Sequence, residues 1–581
     1  MVEIEKLENQ IKEKQNLLDK CNSTINKISL VRLIVFLALA VLTITCIVNF
    51  DFIVLGLALV SLISFIFIIK VHDKKYQSVT YYQNYIQVLK EYKDRHSYEW
   101  HKFKDKGLIN DSTLSSDIDL VGNNSLYQYL SICKTLNAKD KFSKLLINGL
   151  NTKEEMSKSR KAVKDYVSHF EENVAFQAYL KDFDKKIYRI KKNAISFPKG
   201  TKKSHITFIL GLVCSLCLIT SIILAILKII SPTFIMSFIF FQLALSFVGK
   251  DKEVLDSIDK AALYYHSLEK VYLHLSGIDF KDEININNQN KIKNALSSIK
   301  KLNKIEQLSS IYHNGITNLF ANMIMPFNDI LINSYVKFSK EHPVILEDSI
   351  SALEHFEIIA SLANINFVKD NVCEPLINDK ITLNFANLKH PLLKNDECVS
   401  NSFDLKENIN IITGSNMSGK TSFIRTIAIN ICLAKAGAYV LANNFTTSLF
   451  TLFTSMRIKD DIQNGISTFY AELLRIKDAL DYSKQGLPMI LMVDEIFKGT
   501  NMNDRLLGAK SVMKKLDLSH VLLFITTHDF ELCDYDEVKL ANYHFSEHYI
   551  DNKIKFDYKI KEGKCNTTNA VYLMKNTGIM D

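Results

Sequence analysis

Proline and glycine are both scarce, 7 and 18 in 581 residues. That scarcity excludes a chain built mainly of loops or low-complexity linkers and leaves helix as the expected bulk. The 10 cysteines follow no framework spacing. The one C-x-x-C pair, Cys214 and Cys217, sits inside an apolar helical stretch where neither a metal site nor a redox pair is expected, so the thiols read as reduced and cytosolic. No cleavable signal peptide is visible, because Met1 to Ile28 is charged and helical in pattern. Single cores stop growing well below this length, so several domains are expected. The net charge of +8, mostly lysine, allows either nucleic acid or an anionic membrane surface as partner.

Four apolar runs stand out: Leu33 to Val48, Phe52 to Ile69, Ile206 to Leu227, and Ile229 to Val248 with Pro232 near its start. Each approaches the ~20 residues that cross a bilayer. A buried core helix of a soluble protein usually keeps a polar stripe, and these keep almost none, so membrane spans are the preferred reading. Lys27 and Arg32 precede the first run, and Lys70, Lys74 and Lys75 follow the second. Lys199, Lys202 and Lys203 precede the third, and Lys250 and Lys252 follow the fourth, whereas the connections inside each pair hold only Lys228. The positive-inside rule then makes two hairpins that enter from the cytosol and return to it. The expected location is the cell membrane, multi-pass, with everything large in the cytoplasm.

The first residues, with Ile4, Leu7, Ile11, Lys14, Leu18, Cys21, Ile25 and Ile28 at 3-4 spacing, form an imperfect heptad with a lysine at a core position. A short coiled coil and a helix packed on the protein's own body both fit. Helical patterning continues over Val71 to Phe197 and Lys250 to Phe367. The basic cluster Lys185, Lys186, Arg189, Lys191 and Lys192 abuts the third apolar run, which favours lipid headgroups, with DNA second and a solvated face third.

From about Asn384 short β-type runs begin. Ile409 to Ile412 is followed by Gly414-Ser415-Asn416-Met417-Ser418-Gly419-Lys420-Thr421 and then by the helical pattern Ser422 to Ala436. Strand, G-x-x-x-x-G-K-[ST] loop and helix are the context of a phosphate-binding loop. Its backbone N–H groups and the helix N-terminus wrap phosphates, Lys420 reaches the terminal ones, and the Thr421 hydroxyl is placed to ligate Mg²⁺. Met489 to Val493 is an apolar strand ending in Asp494 and Glu495, which suit a water-mediated Mg²⁺ ligand and a general base for the attacking water. Val521 to Thr527 ends in His528, which at the carboxyl end of a sheet strand can donate to the γ-phosphate. Between the loop and Met489, Asp460 to Phe469 leads into the helical Tyr470 to Tyr482; by itself that is only a capped helix start.

Taken together these segments resemble the MutS family, whose ATPase is of the ABC type. Thr413 to Thr421 is similar to T-G-P-N-M-G-G-K-S, with Ser415 for the proline and Ser418 for the second glycine. Asn464 to Leu473 (NGISTFYAEL) resembles G-x-S-T-F-x-x-E, Val493 to Asn501 (VDEIFKGTN) resembles D-E-x-x-x-G-T, and Thr526 to Leu532 (TTHDFEL) resembles A-T-H-x-x-E-L. His390-Pro391 stands where the family's ATPase domain opens, and Asn542-Tyr543-His544 is similar to its N-x-H. The resemblance implies a homodimer in which Ser467 acts across the interface on the phosphate held by the partner's Lys420. Asp117 to Tyr166 resembles the helical core, and Ala352 to Ala363 the lever helix, of membrane-bearing bacterial MutS-like proteins. The mismatch-reading F-x-E element is not seen ahead of that core, and the second hairpin stands roughly where mismatch-repair members insert a DNA clamp.

The expected fold is an α-helical, membrane-anchored core and lever region followed by a C-terminal α/β P-loop ATPase domain of the ABC/MutS type. Its expected blocks are an N-terminal helix or coiled coil (1–32), a transmembrane hairpin (33–69), a helical core (70–205), a second hairpin (206–248), a lever region (249–383) and the ATPase domain (384–581). Expected nucleotide-binding residues are Gly414 to Thr421 with Ser422, expected Mg²⁺ ligands Thr421 and Asp494, and expected catalytic residues Glu495, His528 and, in trans, Ser467. ATP and Mg²⁺ are the implied cofactors. A homodimer, membrane lipids, DNA and an unidentified protein are the candidate partners. A small-molecule transporter fits poorly, since two short hairpins offer few polar groups for a path.

Overall fold

The computed structural model describes residues 2–49, 51–108, 112–187, 202–248, 252–394, 396–415, 417–457, 468–550 and 553–565. Its helices are α1 (Ile4–Val48), α2 (Phe52–His96), α3 (Leu136–Asn148), α4 (Lys153–Val167), α5 (Phe170–Ile187), α6 (Lys202–Ile226), α7 (Thr233–Val248), α8 (Lys252–Ser276), α9 (Glu283–His313), α10 (Gly315–Ile324), α11 (Phe327–Glu341) and α12 (Pro343–Val368). An α/β region follows: β1 (Leu376–Asn378), β2 (Leu383–Leu388), β3 (Asn401–Asp404), β4 (Ile409–Thr413), α13 (Lys420–Lys435), β5 (Asn444–Ser448), β6 (Thr451–Ser455) and α14 (Thr468–Ser483). It closes with β7 (Met489–Asp494), α15 (Met502–Leu516), β8 (Val521–Thr526), β9 (Leu540–His544), β10 (Glu547–Ile550), β11 (Lys553–Phe556) and β12 (Lys561–Glu562). The chain forms two compact units, Met1–Glu8 with Lys90–Phe170 and Glu357–Asp581, and Asn9–Leu89 with Glu171–Phe356. The polypeptide passes from one to the other inside α1, α2, α5 and α12.

In the unit holding Asn9–Leu89, the apolar halves of α1 and α2 form a hairpin, with the Phe36 and Phe65 rings 5.7 Å apart. The pair breaks at the tip, where the Asp51 carboxylate accepts from the Ile53 N–H at 2.9 Å. Away from the tip, Leu18 packs with Val79 and Ile86, with Ile11, Cys21, Ile25 and Tyr82 around them. The heptad of the first residues is therefore used on the protein's own second helix. Lys14, at the interrupting position, lies 5.6 Å from the centre of the Tyr85 ring, a cation–π contact that keeps its charge out of the apolar seam.

Among the described residues, three helices are long and apolar enough to cross a membrane: α1, α2 and the Ile206–Ile226 part of α6. The fourth run is shorter than its sequence suggests. Lys228 takes the left-handed φ of 60°, Pro232 stands at the helix boundary, and α7 begins only at Thr233, giving 16 residues. α6 and α7 nevertheless pack as a hairpin, with the Gln242 amide donating to the Ser215 hydroxyl at 3.3 Å. α8 and α9 run antiparallel to each other, joined by contacts such as Ser309 donating to Asp259 at 2.8 Å.

In the other unit a helical layer is organised by buried polar anchors. Arg95 donates to the Tyr129 carbonyl at 2.8 Å and stacks on the Phe103 ring. The Glu357 carboxylate of α12 receives the N–H groups of Lys134 and Thr135, at 2.6 and 3.1 Å, at the start of α3. The six-stranded sheet has the order β12-β9-β4-β8-β7-β6, with the five strands from β9 to β6 parallel and β12 antiparallel at the edge. β4, β7 and β8 are buried on both faces, and apart from Asn410 and their last residues they are apolar, which is why they read as hydrophobic runs. A four-stranded sheet, β1-β5-β2-β3, packs Phe385 against Phe403 and Phe445.

Candidate active site

The carboxyl ends of parallel strands are where an open α/β sheet binds ligands, and β4, β7 and β8 deliver the sequence-marked residues there. β4 ends at Thr413 and the chain turns through Gly414, whose φ is 144°. A Cβ there would come 2.7 Å from the Phe545 carbonyl oxygen, so only glycine admits this approach. Gly419 caps α13 with φ 110°, leaving the N–H groups of the first helical turn directed at the loop. Lys420 is buried, its ammonium donating to the carbonyls of Gly414 and Ser415 at 2.8 and 2.9 Å. Burial lowers its pKa, and the charges of Glu495 and Asp494 act the other way. The Ser418 hydroxyl is buried with no hydrogen-bond partner among the described residues. A glycine-lined turn, an enclosed lysine, a helix N-terminus and an orphaned hydroxyl together fit a polyphosphate.

The Thr421 hydroxyl lies 2.9 and 2.8 Å from the two carboxylate oxygens of Asp494. Asp494 is held in turn by the Thr526 hydroxyl at 2.6 Å. Two hard oxygen donors meeting at the loop's edge are the donor set a Mg²⁺ ion takes alongside phosphate. Glu495 follows at a left-handed φ of 54°, fixed by its N–H on the Thr526 carbonyl and hydroxyl, both at 3.0 Å. Its carboxylate faces His528 at 3.4 Å and Lys498 at 2.6 Å. The His528 hydrogen bond first, then Lys498, holds its pKa down to about 2 against the opposing effect of burial. Glu495, Lys498, Arg505, His528 and Asp529 line one polar cleft.

A second cavity, of about 470 Å³, opens beside Gly419 and is lined by His390, Leu393, Asn401, Ser422, Phe423 and Tyr558, among others. His390 is held neutral, its pKa lowered to about 3 by desolvation and by the nearby charges of Arg425 and Lys369. The cavity's size and its mixed walls, with Phe423 and Tyr558 beside Asn401 and Ser422, suit a nucleobase next to the phosphate loop.

Sequence reading marked the loop, Asp494, Glu495 and His528, and these lie together in the structure. Met417 is exposed at φ 68°, and Ser422 faces the cavity. Asn416 and Ser467 lie outside the described residues, as do Arg189, Lys191 and Lys192 of the basic cluster. Several supporting groups were missed. Glu472 of α14 is buried and accepts from the Phe497 N–H at 2.7 Å, pinning the turn after Glu495. Ser415 donates to Glu547 at 2.9 Å. Asp117, fully buried, accepts from the N–H groups of Met456 and Arg457, both at 3.1 Å, and from Arg475 at 3.0 Å. Asp119 pairs with Arg457. The two aspartates thus hold β6 and α14 on either side of the segment that contains Ser467. The signal for Glu472 was present, as the last residue of the G-x-S-T-F-x-x-E likeness. For Asp117 the only hint was its place in a core-like segment.

Residues 410–580 match the family model described as MutS domain V. Over 242 residues the chain is 31% identical to the DNA mismatch repair protein MutS of Staphylococcus haemolyticus, covering 40% of this chain and 27% of that protein. It is 30% identical over 236 residues to the protein of the same name from Staphylococcus epidermidis, covering 39% of this chain and 26% of that one. Against the Staphylococcus aureus (strain JH9) protein of that name the figures are again 30%, 39% and 26%. The chain therefore spans about a quarter of the length of these relatives.

Proposed function

Because the C-terminal domain of this chain belongs to the MutS family, we propose that the protein is a membrane-anchored, Mg²⁺-dependent ATPase. Its work is the coupling of ATP binding and hydrolysis to motion in its helical unit. The observation that carries the proposal is the meeting of Lys420 and Thr421 after β4, Asp494 and Glu495 after β7, and Thr526 and His528 at the end of β8, three adjacent strands of the parallel sheet. Lys420 and the loop N–H groups bind and orient the β- and γ-phosphates, and the Ser418 hydroxyl adds a donor. Thr421 and Asp494 would hold Mg²⁺, which neutralises charge on the phosphate oxygens when bound. Glu495, kept ionised by His528 and Lys498, orients and polarises the attacking water, while His528 is within reach to donate to the γ-phosphate. Ser467 completes the neighbouring protomer's site, a role carried by the family likeness.

Anchoring by the apolar hairpins of α1–α2 and α6–α7 is supported by their length and their lipid-like surfaces, with Leu216 and Phe240 64% and 66% exposed. Lever motion is supported by the four helices through which the chain joins the ATPase unit to the helical one. DNA is the partner suggested by the relatives' name and the positive charge. A second reading, in which the motor acts on the hairpins or on a protein, is favoured by the apolar hairpins lying in the unit outside the ATPase.

The test is turnover by the purified, reconstituted protein. Lys420→Ala abolishes ATP binding, and Glu495→Gln retains binding while hydrolysis falls by at least ~10²-fold, the usual loss for a general base. Normal turnover by Glu495→Gln refutes the assignment. Salt-dependent retention of DNA by the solubilised protein separates the two outputs.

A further inference from the structure

The stretch between His313 and Asp329 carries no charged residue. In the structure it forms α10 and the turn into α11, with the Asn314 side chain capping the N–H groups of Ile316 and Thr317 at 3.1 and 3.3 Å. The helix is inverted relative to a soluble one. Its polar face is turned inward and satisfied: Asn322 is 2% exposed and donates to the Asn318 carbonyl at 2.8 Å, and the Asn328 N–H returns to Asn322 at 3.3 Å. Its outward face is the apolar stripe Ile316, Phe320 and Ile324, at 70%, 60% and 60% exposure, flanked by Leu319 and Met325.

What adjoins this face fixes what covers it. α10 packs against α7, sharing a groove in which Leu243, Ser246 and Phe247 meet Gly315, Asn318 and Leu319, and Phe247 is itself 74% exposed. The apolar surface of the hairpin thus runs on into α10. Two contacts set its level. The Asp329 carboxylate accepts from Thr207 at 2.8 Å, at the start of the apolar part of α6. Pro326 lies against Gly211 so closely that a Cβ there would come within 2.5 Å. Gly211 is five residues past Ile206, about 7.5 Å along the helix, inside the ~5–10 Å depth at which interfacial helices lie.

We propose that α10 is a membrane element: an interfacial helix whose Ile316, Leu319, Phe320, Ile324 and Met325 sit among lipid headgroups and upper acyl chains at the cytosolic end of the α6–α7 hairpin. The inference rests on the anchoring of that hairpin and adds a third apolar contact to it. It places lipid against a segment the sequence presents as part of the lever region, so motion of α9 or α11 is felt at the bilayer surface.

Tryptophan quenching in the full-length protein tests it. The sole tryptophan, Trp100, is fully buried in the other unit and serves as the unquenched reference. Phe320→Trp and, as a second reporter, Ile316→Trp are reconstituted into phosphatidylcholine–phosphatidylglycerol vesicles brominated either near the headgroup or near the chain ends. Phe240→Trp, on the exposed face of α7, reports anchoring by itself. The expected result is that both α10 reporters lose most of their added emission to shallow bromines and little to deep ones, while Phe240→Trp is also quenched. Quenching of Phe240→Trp without either α10 reporter overturns the proposal and leaves the anchor standing, as when a protein covers the face. No quenching at any of the three overturns both.

Discussion

Replacing Asp117 with asparagine changes one buried atom and removes one charge, in a position where both carboxylate oxygens are engaged twice. Oδ2 accepts from the Met456 N–H at 3.1 Å and Oδ1 from the Arg457 N–H at 3.1 Å, while Arg475 reaches them at 3.0 and 3.2 Å. The asparagine keeps one acceptor and presents an NH₂ to donors on the other side. A hydrogen bond to a charged group contributes ~1.5–3 kcal/mol, and opening a buried ion pair costs ~3–5 kcal/mol, so the loss is about 3 kcal/mol. It is local, because the partners are the end of β6 and one turn of α14. At ~1.4 kcal/mol per tenfold, the equilibrium for opening this edge rises about 10²-fold. Hydrogen exchange at the Met456 and Arg457 amides reads that number directly. Nucleotide affinity stays within about twofold, since Lys420 and Thr421 are untouched, whereas turnover falls by about tenfold or more as the segment carrying Ser467 loses its footing. Unchanged amide protection in Asp117→Asn, or loss of nucleotide binding in step with turnover, refutes the reasoning.

Glu472 gives a pH signature of opposite sign to a surface carboxylate. Desolvation raises its pKa from 4.5 to about 7, so its favourable contribution is complete below the ordinary carboxylate range and is lost as pH rises to the folded value. Glu472→Gln keeps the acceptor for Phe497; it melts like the parent below about pH 5 and is more stable by about 1–2 kcal/mol above about pH 8, after allowance for water at the carboxylate's edge. Equal melting at both ends counts against the burial argument. For topology, single cysteines at Asn49 and Ser231 in cysteine-depleted protein label from outside intact cells and one at Asn123 does not; labelling at Asn123 sinks the two-hairpin arrangement. For the shared site, mixing Lys420→Ala with Ser467→Arg chains restores part of the activity, because one composite site of a mixed dimer takes both lesions and the other keeps both sound groups. Normal hydrolysis by Ser467→Arg alone excludes a shared site.

The sequence by itself determined what is encoded in contiguous residues. The loop Gly414 to Thr421 is legible because its chemistry needs glycines and lysine at fixed covalent spacing. β7 and β8 are legible because a strand covered on both faces is apolar at every position, up to the polar residues that leave the sheet at Asp494 and His528. The apolar runs of α1, α2 and α6 are legible because span length is a one-dimensional property. Tertiary structure decided everything that depends on which distant segments meet. Asp117 gains its meaning from backbone groups more than three hundred residues away, and Glu472 from a turn on another strand. Whether the first heptad pairs with another chain or folds back on α2 was open in the periodicity and closed by Leu18 against Val79 and Ile86. The apolar stripe of α10 looks in sequence like an ordinary core face, since period alone records that one side is hydrophobic. Only packing decides whether that side turns inward or, as here, is left outside while Asn322 is buried.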